Sequence, residues 1–285
     1  MEAIRVATWN TLSRDRMHRI GLAAAQLRAV DPDVILLQET AEGHARTLAD
    51  ELGLVLAALD HVDSAEVATA VLTRPDLQPH QPPKGLDGVA GRAMVATVDL
   101  SFGDRRLRTT SAHLRNTPSA GRLGFDPDYR AAASDAAAVE SIADESIRTS
   151  VLARLHQLGQ LKNARRQLTI EGEVFGGDLN FVPCGIEYRR VKSWGLADAW
   201  TAAPRIGSGA TILERNPLVI DSSAHREAAV RAYPGISRDL DYTLDFQFHS
   251  PSLIAGAAWV FGEPIDGDSW ASDHLGIAVD YAWRN

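Results

Sequence analysis

The chain has 285 residues, of which 45% are hydrophobic and 23% charged, values ordinary for a globular protein with a sizeable core. Its formal net charge of −8 and its pI near 5.6 argue against broad, non-specific DNA binding, which depends on Lys and Arg. No apolar run approaches the roughly 20 residues that cross a bilayer, and no secretory leader is visible, so we expect no membrane insertion. Cys184 is the only cysteine, which excludes an intrachain disulfide and favours the cytoplasm.

Hydrophobic periodicity predicts helices and strands along most of the chain. Apolar residues recur at helical spacing over 15–30, where Pro32 ends the first helix, and again over 43–53. A third helix at 147–164 is expected to bury one apolar side that includes Leu152. The predicted strands cover 3–9, 33–38, 54–59, 67–73, 93–100, 106–112, 168–176, 240–248, 257–261 and 275–281.

Two stretches interrupt this pattern. Residues 115–145 are polar and Ala-rich, whereas residues 203–237 have strong turn chemistry and little periodicity, so we interpret the second stretch as a long surface loop. We find no internal repeat and no linker, which favours a single domain over 1–285 with these two insertions. Two blocks of strands, each with helices, predict an α/β fold in which two mixed sheets pack face to face and the helices lie outside.

Polar residues follow most of the apolar, β-branched runs, at the point where a buried strand would end. They are Asn10 in TWN, Glu39 in LLQET, His113 in SAHL, Asp178 and Asn180 in GGDLN, and Asp273 and His274 in SDHLG. A phosphoester anion repels nucleophiles and has a poor leaving oxygen, so its hydrolysis needs a cation, a base for the water and donors for the phosphoryl oxygens. These strand ends therefore indicate a metal-assisted phosphoester hydrolase.

Some of these residues also have an interpretation without catalysis. Glu39 could be an acid at a helix N-terminus, Asn10 a turn residue, and His113 a satisfied or exposed histidine. In the functional interpretation, Glu39 is a metal ligand, because hard divalent cations prefer oxygen. Asn10 is then either a second oxygen ligand or the residue that holds the Glu39 carboxylate in place.

The GGDLN segment is the strongest single signal. Two glycines permit a close backbone approach, and the turn that follows carries both Asp178 and Asn180. Asp178 could orient or deprotonate water, and Asn180 could donate to a phosphoryl oxygen. Either Asp241 or Asp273 could polarise His274, although Asp241 could equally be an ordinary acid of an edge strand.

Taken in order, TWN, LLQE, SAHL, GGDLN, LDYTL and SDHLG resemble the motifs of the endonuclease/exonuclease/phosphatase superfamily, which has the DNase-I-like fold. The resemblance covers residues 4–281. No single motif is specific, but the set of six is. The resemblance implies a four-layer α/β/β/α sandwich and phosphoester cleavage that depends on Mg²⁺ or Mn²⁺.

The resemblance also implies a role for each matched residue. Asn10 and Glu39 would hold the metal, with Asp273 near it. The other matched residues would act on the phosphate and the water: His113 on the scissile phosphate, Asp178 on the attacking water, Asn180 on the phosphorane-like charge, and His274, supported by Asp241, as general base or phosphate ligand.

This chain departs from the family pattern in three places. The apurinic-endonuclease branch has an acid where Leu12 stands and lacks a histidine at the position of His113. Both differences favour the wider phosphodiesterase branches, which include sphingomyelinases, deadenylases and tyrosyl-DNA phosphodiesterases. Family members often have Arg two residues before the Asp of the LDY motif, where this chain has Asp239, with Arg238 displaced by one.

The substrate is expected to be a nucleotide or another small phosphorylated metabolite, because the chain is acidic and has no basic stretch. A DNA or RNA nuclease is the alternative, and an inactive binding protein that retains the fold is a third hypothesis. Arg115 could clamp a second phosphate or could be a solvated charge. The oligomeric state is left open.

Overall fold

Apolar runs form thirteen strands in the part of the chain that a computed structural model describes. The described residues are 3–12, 19–61, 68–80, 94–114, 139–140, 145–166, 170–183, 185–219 and 241–285. The strands make a seven-stranded and a six-stranded sheet that pack face to face, with helices outside, as the sequence predicts. Arg115 and most of the insertion at 115–145 lie outside the described residues, as do 220–237 of the second insertion.

The seven-stranded sheet has the order β10-β12-β13-β1-β2-β4-β3. Its strands are β1 (Ile4–Asn10), β2 (Val34–Thr40), β3 (Val55–His61), β4 (Ala68–Thr73), β10 (Arg205–Ile206), β12 (Leu253–Phe261) and β13 (Gly276–Trp283). The six-stranded sheet has the order β5-β6-β7-β8-β11-β9. Its strands are β5 (Pro79–His80), β6 (Met94–Phe102), β7 (Arg105–His113), β8 (Gly172–Asp178), β9 (Ala197–Asp198) and β11 (Asp245–His249).

The described helices are α1 (Ile20–Val30), α2 (Glu42–Leu52), α3 (Glu145–Arg166), α4 (Ile186–Lys192) and α5 (Ala199–Ala202). The first four cover the outer faces, whereas Ala199 of α5 packs in the core between the sheets. Leu27 of α1 and Leu48 of α2 pack on the outer face of the seven-stranded sheet, whereas Leu158 of α3 and Val191 of α4 pack on that of the six-stranded sheet. No helix in the described part of the chain combines the length and apolarity needed to cross a membrane.

The core between the sheets is aliphatic. Alternate residues of each strand point inward, so Val34 and Leu36 of β2 meet Val98 of β6, Leu107 of β7 and Val174 of β8. All five side chains are almost completely buried. This layer fixes the separation of the two sheets and therefore the separation of any groups at their edges.

Parallel pairing brings several strand ends to one edge of the sandwich. β1 runs parallel to β2, and β7 runs parallel to β8. The sequence predicts a close backbone approach at the two glycines before Asp178, and Gly177 shows it. Gly177 has φ +139°, and an added Cβ there would collide with the Ala112 carbonyl oxygen of β7. The close packing of β7 on β8 is thus possible only with glycine there.

The structure corrects several predicted elements. Leu152 is 50% exposed, so it does not belong to the buried side of α3. The strand predicted at 240–248 begins only at Asp245, and the strand predicted at 257–261 begins four residues earlier, at Leu253. The stretch 203–237 is not simply a surface loop, since its described part contains β10 and buries Thr211 completely.

Candidate active site

Asp178 lies at the centre of the edge where the strands converge. It is the last residue of β8 and is 2% exposed. Its Oδ2 accepts a hydrogen bond of 3.0 Å from Nδ2 of Asn10, the last residue of β1. Its Oδ1 accepts a bond of 3.1 Å from the backbone N–H of Asn180. Because Asn10 and Asp178 belong to different sheets, this contact joins the two layers at the site.

Asn10 therefore holds Asp178 through its amide nitrogen. One of its two predicted roles is instead to hold the Glu39 carboxylate in place. The Asn10 side-chain oxygen accepts a bond of 3.0 Å from the backbone N–H of Leu12. A carbonyl oxygen has two lone pairs, so one remains for a cation. The predicted role of Asn10 as an oxygen ligand is compatible with this geometry.

Two histidines face the Asp178 carboxylate. Nε2 of His113, at the end of β7, lies 3.5 Å from Asp178 Oδ2 and 3.7 Å from Glu39 Oε1. Nε2 of His274 lies 3.8 Å from the same Asp178 oxygen. Nδ1 of His274 contacts Asp245 Oδ2 at 2.9 Å. The structure thus brings Glu39, His113, Asp178 and His274 together as the sequence predicts.

The carboxylate partner of His274 is Asp245, which corrects the predicted partner Asp241. Asp241 is exposed, and its Oδ1 accepts a bond of 3.3 Å from the backbone N–H of Glu214. The segment LDYTLDF contains the pattern Leu-Asp-aromatic twice, and the second copy opens β11. The sequence therefore contains a signal for Asp245, but the same signal also occurs at Asp241.

Backbone strain concentrates at this edge. Four described residues other than glycine have positive φ, and three of them are Leu12 (41°), Glu39 (47°) and Asn180 (51°). Glu39 lies where the pairing of β2 with β4 shifts register between Leu37 and Thr40, as at a β-bulge. Such conformations are costly and cluster at functional sites, where they direct a side chain.

Asn180 is 3% exposed, and its position is fixed from two sides. Its backbone N–H donates to Asp178, and its Nδ2 donates to the Leu114 carbonyl oxygen at 3.1 Å. The amide nitrogen carries two hydrogens, so one remains available. That hydrogen is what the predicted contact of Asn180 with a phosphoryl oxygen requires.

The site contains more acid than base. In the described part of the chain it combines the carboxyl groups of Glu39, Asp178, Asp245 and Asp273 with two imidazoles. Burial raises the pKa of Asp178, and Asp245 raises it further, although His274 and His113 act in the opposite direction.

The other titrating groups of the site respond to the same excess of acid. Burial lowers the pKa of His274, but Asp245 and Asp178 outweigh it and hold that pKa well above 6.5. Burial raises the pKa of Asp273, His274 opposes the rise, and Glu39 adds to it. The neighbouring carboxylates therefore raise the pKa of both His274 and Asp273.

Tyr242 is a further member of the site that sequence reasoning did not assign. Its side chain is 8% exposed. Burial raises the pKa of its phenol, and the negative charges of Asp273, Asp178 and Asp245 each raise it further. Tyr242 belongs to the LDYTL motif, so the motif itself is the sequence signal for this residue.

The donor set fits a divalent cation. Ligand atoms of Glu39, His113 and Asp178 all lie within 4.8 Å of one another, and the same is true of Asp178, Asp245 and His274. Both ring nitrogens of His113 and Oδ1 of Asp245 are buried without a hydrogen-bond partner among the described residues, a costly arrangement that a bound cation or its waters would relieve. Carboxylate oxygens suit Mg²⁺ and Mn²⁺.

The predicted metal ligand Asp273 belongs to neither of these two groups of residues. Its carboxyl group is partly buried and close enough to Glu39 and His274 for each to shift its pKa. Ser272 Oγ also contacts Asp273 Oδ1 at 3.3 Å. Asp273 thus lies at the margin of the cluster, beside the residues that could hold the metal.

Two packed mixed sheets with a carboxylate–histidine cluster at their common edge define the DNase-I-like class of α/β proteins. The sequence profile of the Endonuclease/Exonuclease/phosphatase family matches residues 7–274. The chain belongs to this family, whose members are generally metal-dependent hydrolases. No curated protein matches the chain.

Solved structures share the fold at low sequence identity. An endonuclease/exonuclease/phosphatase from Bacteroides vulgatus has a TM-score of 0.68 at 14% identity, with 100% of both chains covered. TDP2 from C. elegans has a TM-score of 0.62 at 16% identity, covering 98% of this chain and 75% of that one. D. rerio TDP2, in complex with a single strand DNA product, has a TM-score of 0.60 at 14% identity and covers 99% and 100%.

Proposed function

We propose that this protein is a divalent-metal-dependent phosphoester hydrolase of the cytoplasm, which directs water onto a phosphodiester or phosphomonoester of a nucleotide or small phosphorylated metabolite. The observation that carries the proposal is the convergence of Glu39, His113, Asp178 and His274 from both sheets at one buried edge. Because the site residues run from Asn10 to His274, we take the chain as one catalytic domain.

The chain's own groups divide the chemistry among them. Glu39 would hold the cation, with Asn10 as a neutral oxygen donor, and a bound Mg²⁺ or Mn²⁺ would supply positive charge for the phosphoryl oxygens. Asp178, fixed by Asn10, orients the attacking water. His113 and the free amide hydrogen of Asn180 donate to the non-bridging oxygens.

His274 has the geometry of a general acid–base group. The Asp245 carboxylate accepts the Nδ1 proton at 2.9 Å, which fixes the ring and leaves Nε2 facing Asp178. In this role Nε2 exchanges a proton with the water or with the phosphate. A carboxylate that accepts from Nδ1 favours the protonated imidazole as it forms, so Asp245 supports the transfer.

A nuclease is the second candidate. The observation in its favour is the shared fold with D. rerio TDP2, whose structure contains a single strand DNA product. The net charge of −8 favours a small substrate instead, because polynucleotide binding relies on Lys and Arg along the backbone. The two candidates share one chemistry and differ in what the surrounding surface admits.

A substrate panel separates these candidates. We expect Mg²⁺- or Mn²⁺-dependent phosphate or phosphomonoester release from nucleotides or small phosphodiesters, and little cleavage of single- and double-stranded DNA and RNA. Cleavage of polynucleotides alone would establish the nuclease instead. Background rates on every substrate with either metal would leave only the inactive binding protein.

Variants test the assignment of the site. Glu39→Gln keeps the shape of the side chain, and His274→Asn replaces the imidazole by a smaller polar amide. Each should lower kcat about 10²–10³-fold because a charge-stabilising or proton-transferring group is lost. Glu51→Gln and His156→Gln are the matched controls, since both residues lie on exposed helix surfaces. Wild-type turnover in either site variant would remove that residue from the mechanism.

A further inference from the structure

Residues 209–216, which we call the brace, lie within the insertion predicted as a surface loop. Two of its polar side chains are fully enclosed: Thr211 is 0% and Asn216 is 1% exposed. Ala210 and Leu213 pack with Trp270 and Leu275 in a small apolar cluster. Buried polar side chains in such a segment must have specific partners, and these partners lie beside the candidate active site.

On one side the brace holds the start of β11. The Thr211 hydroxyl oxygen accepts from the backbone N–H groups of Leu244 at 3.2 Å and Asp245 at 3.4 Å. The backbone N–H groups of Thr211 and Ile212 both donate to the Tyr242 carbonyl oxygen, at 3.0 and 2.9 Å. The backbone that positions the Asp245 carboxylate is therefore tied to Thr211.

On the other side the brace holds the loop that carries His274. The Leu275 backbone N–H donates to the Thr211 carbonyl oxygen at 2.7 Å, and Ile212 forms antiparallel bridges with both Tyr242 and His274. Nδ2 of Asn216 donates to the Ser272 carbonyl oxygen at 2.8 Å. Trp9 Nε1 also donates to the His274 carbonyl oxygen at 2.9 Å, so β1 supports the same loop from its other edge.

We propose that Thr211 is a positioning residue for the His274–Asp245 pair, with Asn216 in support. The two partners stand on separate chain segments, and Thr211 is hydrogen-bonded to both segments: its hydroxyl accepts from the Asp245 backbone N–H, and its carbonyl oxygen accepts from the backbone N–H of Leu275, the residue after His274. The expected effect of Thr211 on the reaction rate rests on the proposed function. A misplacement of about 1 Å in a catalytic group can cost roughly 10²-fold in rate.

The test uses two substitutions at one position. Thr211→Val removes the accepting hydroxyl at almost constant shape, whereas Thr211→Ser retains it. We expect Thr211→Val to lower kcat about 10- to 100-fold with KM little changed, and Thr211→Ser to restore most of the rate. Thr201→Val is the matched control, because the Thr201 hydroxyl donates to Asp198 on β9, which pairs with the far end of β11.

A second readout does not depend on turnover. In ¹⁵N-histidine-labelled, metal-free protein, the NMR signal of the proton between His274 Nδ1 and Asp245 should shift or broaden in Thr211→Val and persist in Thr211→Ser and Thr201→Val. This signal reports the position of the pair even if the wild type hydrolyses no phosphoester, so failure of the proposed function is distinguishable from failure of this inference.

The proposal is overturned if Thr211→Val keeps both the wild-type kcat and the wild-type His274 signal, or if Thr211→Ser is as impaired as Thr211→Val. If Thr211→Val does not fold, Asn216→Ala is measured in the same two ways. That variant removes the bond to the Ser272 carbonyl, and it should lower kcat and perturb the His274 signal. An unchanged rate and signal there would also contradict the proposal.

Discussion

Strand β7 contributes to two groups of ionisable side chains, one at its middle and one at its end, and the two groups differ in charge balance. In the middle, Arg108 meets Asp99 of β6 through two parallel bonds, Nε–Oδ1 at 2.7 Å and Nη2–Oδ2 at 2.8 Å. At the end, His113 faces the carboxylates of Glu39 and Asp178, and neither of its ring nitrogens has a hydrogen-bond partner in the described part of the chain. The Arg108 and Asp99 side chains thus satisfy each other, whereas the His113 ring has no such partner among the described residues.

The difference separates structure from function. A buried charge is tolerated when a partner of opposite sign compensates it, as in the pair of Arg108 and Asp99 or the pair of Arg154 and Glu187 at 2.9 Å. An excess of buried acid with unpartnered nitrogens is costly unless something from outside completes it. The side chains at the end of β7 are therefore arranged as in a binding site, whereas the ion pair at its middle stabilises the fold.

The largest effect on stability should come from the scaffold pair. Arg108→Met leaves Asp99 buried without compensation and should lower the free energy of unfolding by about 3–5 kcal/mol, measured by urea denaturation. The double variant with Asp99→Leu should recover most of this loss. Arg46→Met, in an exposed pair with Glu42, is the control and should lose less than about 1 kcal/mol. A loss of that small size at Arg108 would contradict the comparison.

Removing a charge from the candidate active site should have the opposite effect on stability. Asp178→Asn removes one buried acid among several, so in metal-free protein its free energy of unfolding should equal or exceed that of the wild type. The same variant should lose about 10²–10³-fold in kcat with Mg²⁺. Stability is measured by urea denaturation in EDTA, and activity on whichever substrate the panel identifies.

The sign of the pH dependence follows from the raised pKa of Asp178. Because folding raises this pKa above 3.8, the folded state binds the proton more tightly, and stability is lost as pH rises through the folded pKa. The gain in the free energy of unfolding that Asp178→Asn brings should therefore be present at neutral pH and disappear as pH falls toward 3.8. A variant that is less stable than the wild type at neutral pH would contradict this interpretation.

The parts of the fold that sequence predicts well are the strand ends. Apolar, β-branched runs end at Asn10, Glu39, His113 and Asp178, and the structure places all four at one edge. This works because the side chains of a buried strand are mostly apolar or β-branched, so carboxylate, amide and imidazole groups collect where the strand leaves the core. The sequence also predicts helices α1 and α2, because their apolar residues recur with a period of 3.6 residues on the buried face.

The parts that sequence misses depend on contacts between distant segments. Nothing local distinguishes Asp241 from Asp245, because both follow a leucine and precede an aromatic residue, and only the register of β11 against β8 selects the second. Turn residues surround the brace, so its sequence predicts a loop. Its burial depends on two side chains, Thr211 and Asn216, whose partners lie elsewhere in the chain.

The most direct test of the central claim is the position of a bound ion. Anomalous diffraction from crystals soaked in Mn²⁺ should show a peak within bonding distance of the Glu39 carboxylate and in the space shared by Asp178 and His113, and this peak should vanish in Glu39→Gln. A strong peak elsewhere, no peak near these residues at saturating Mn²⁺, or an unchanged peak in Glu39→Gln would contradict the claim that both sheets meet around one cation.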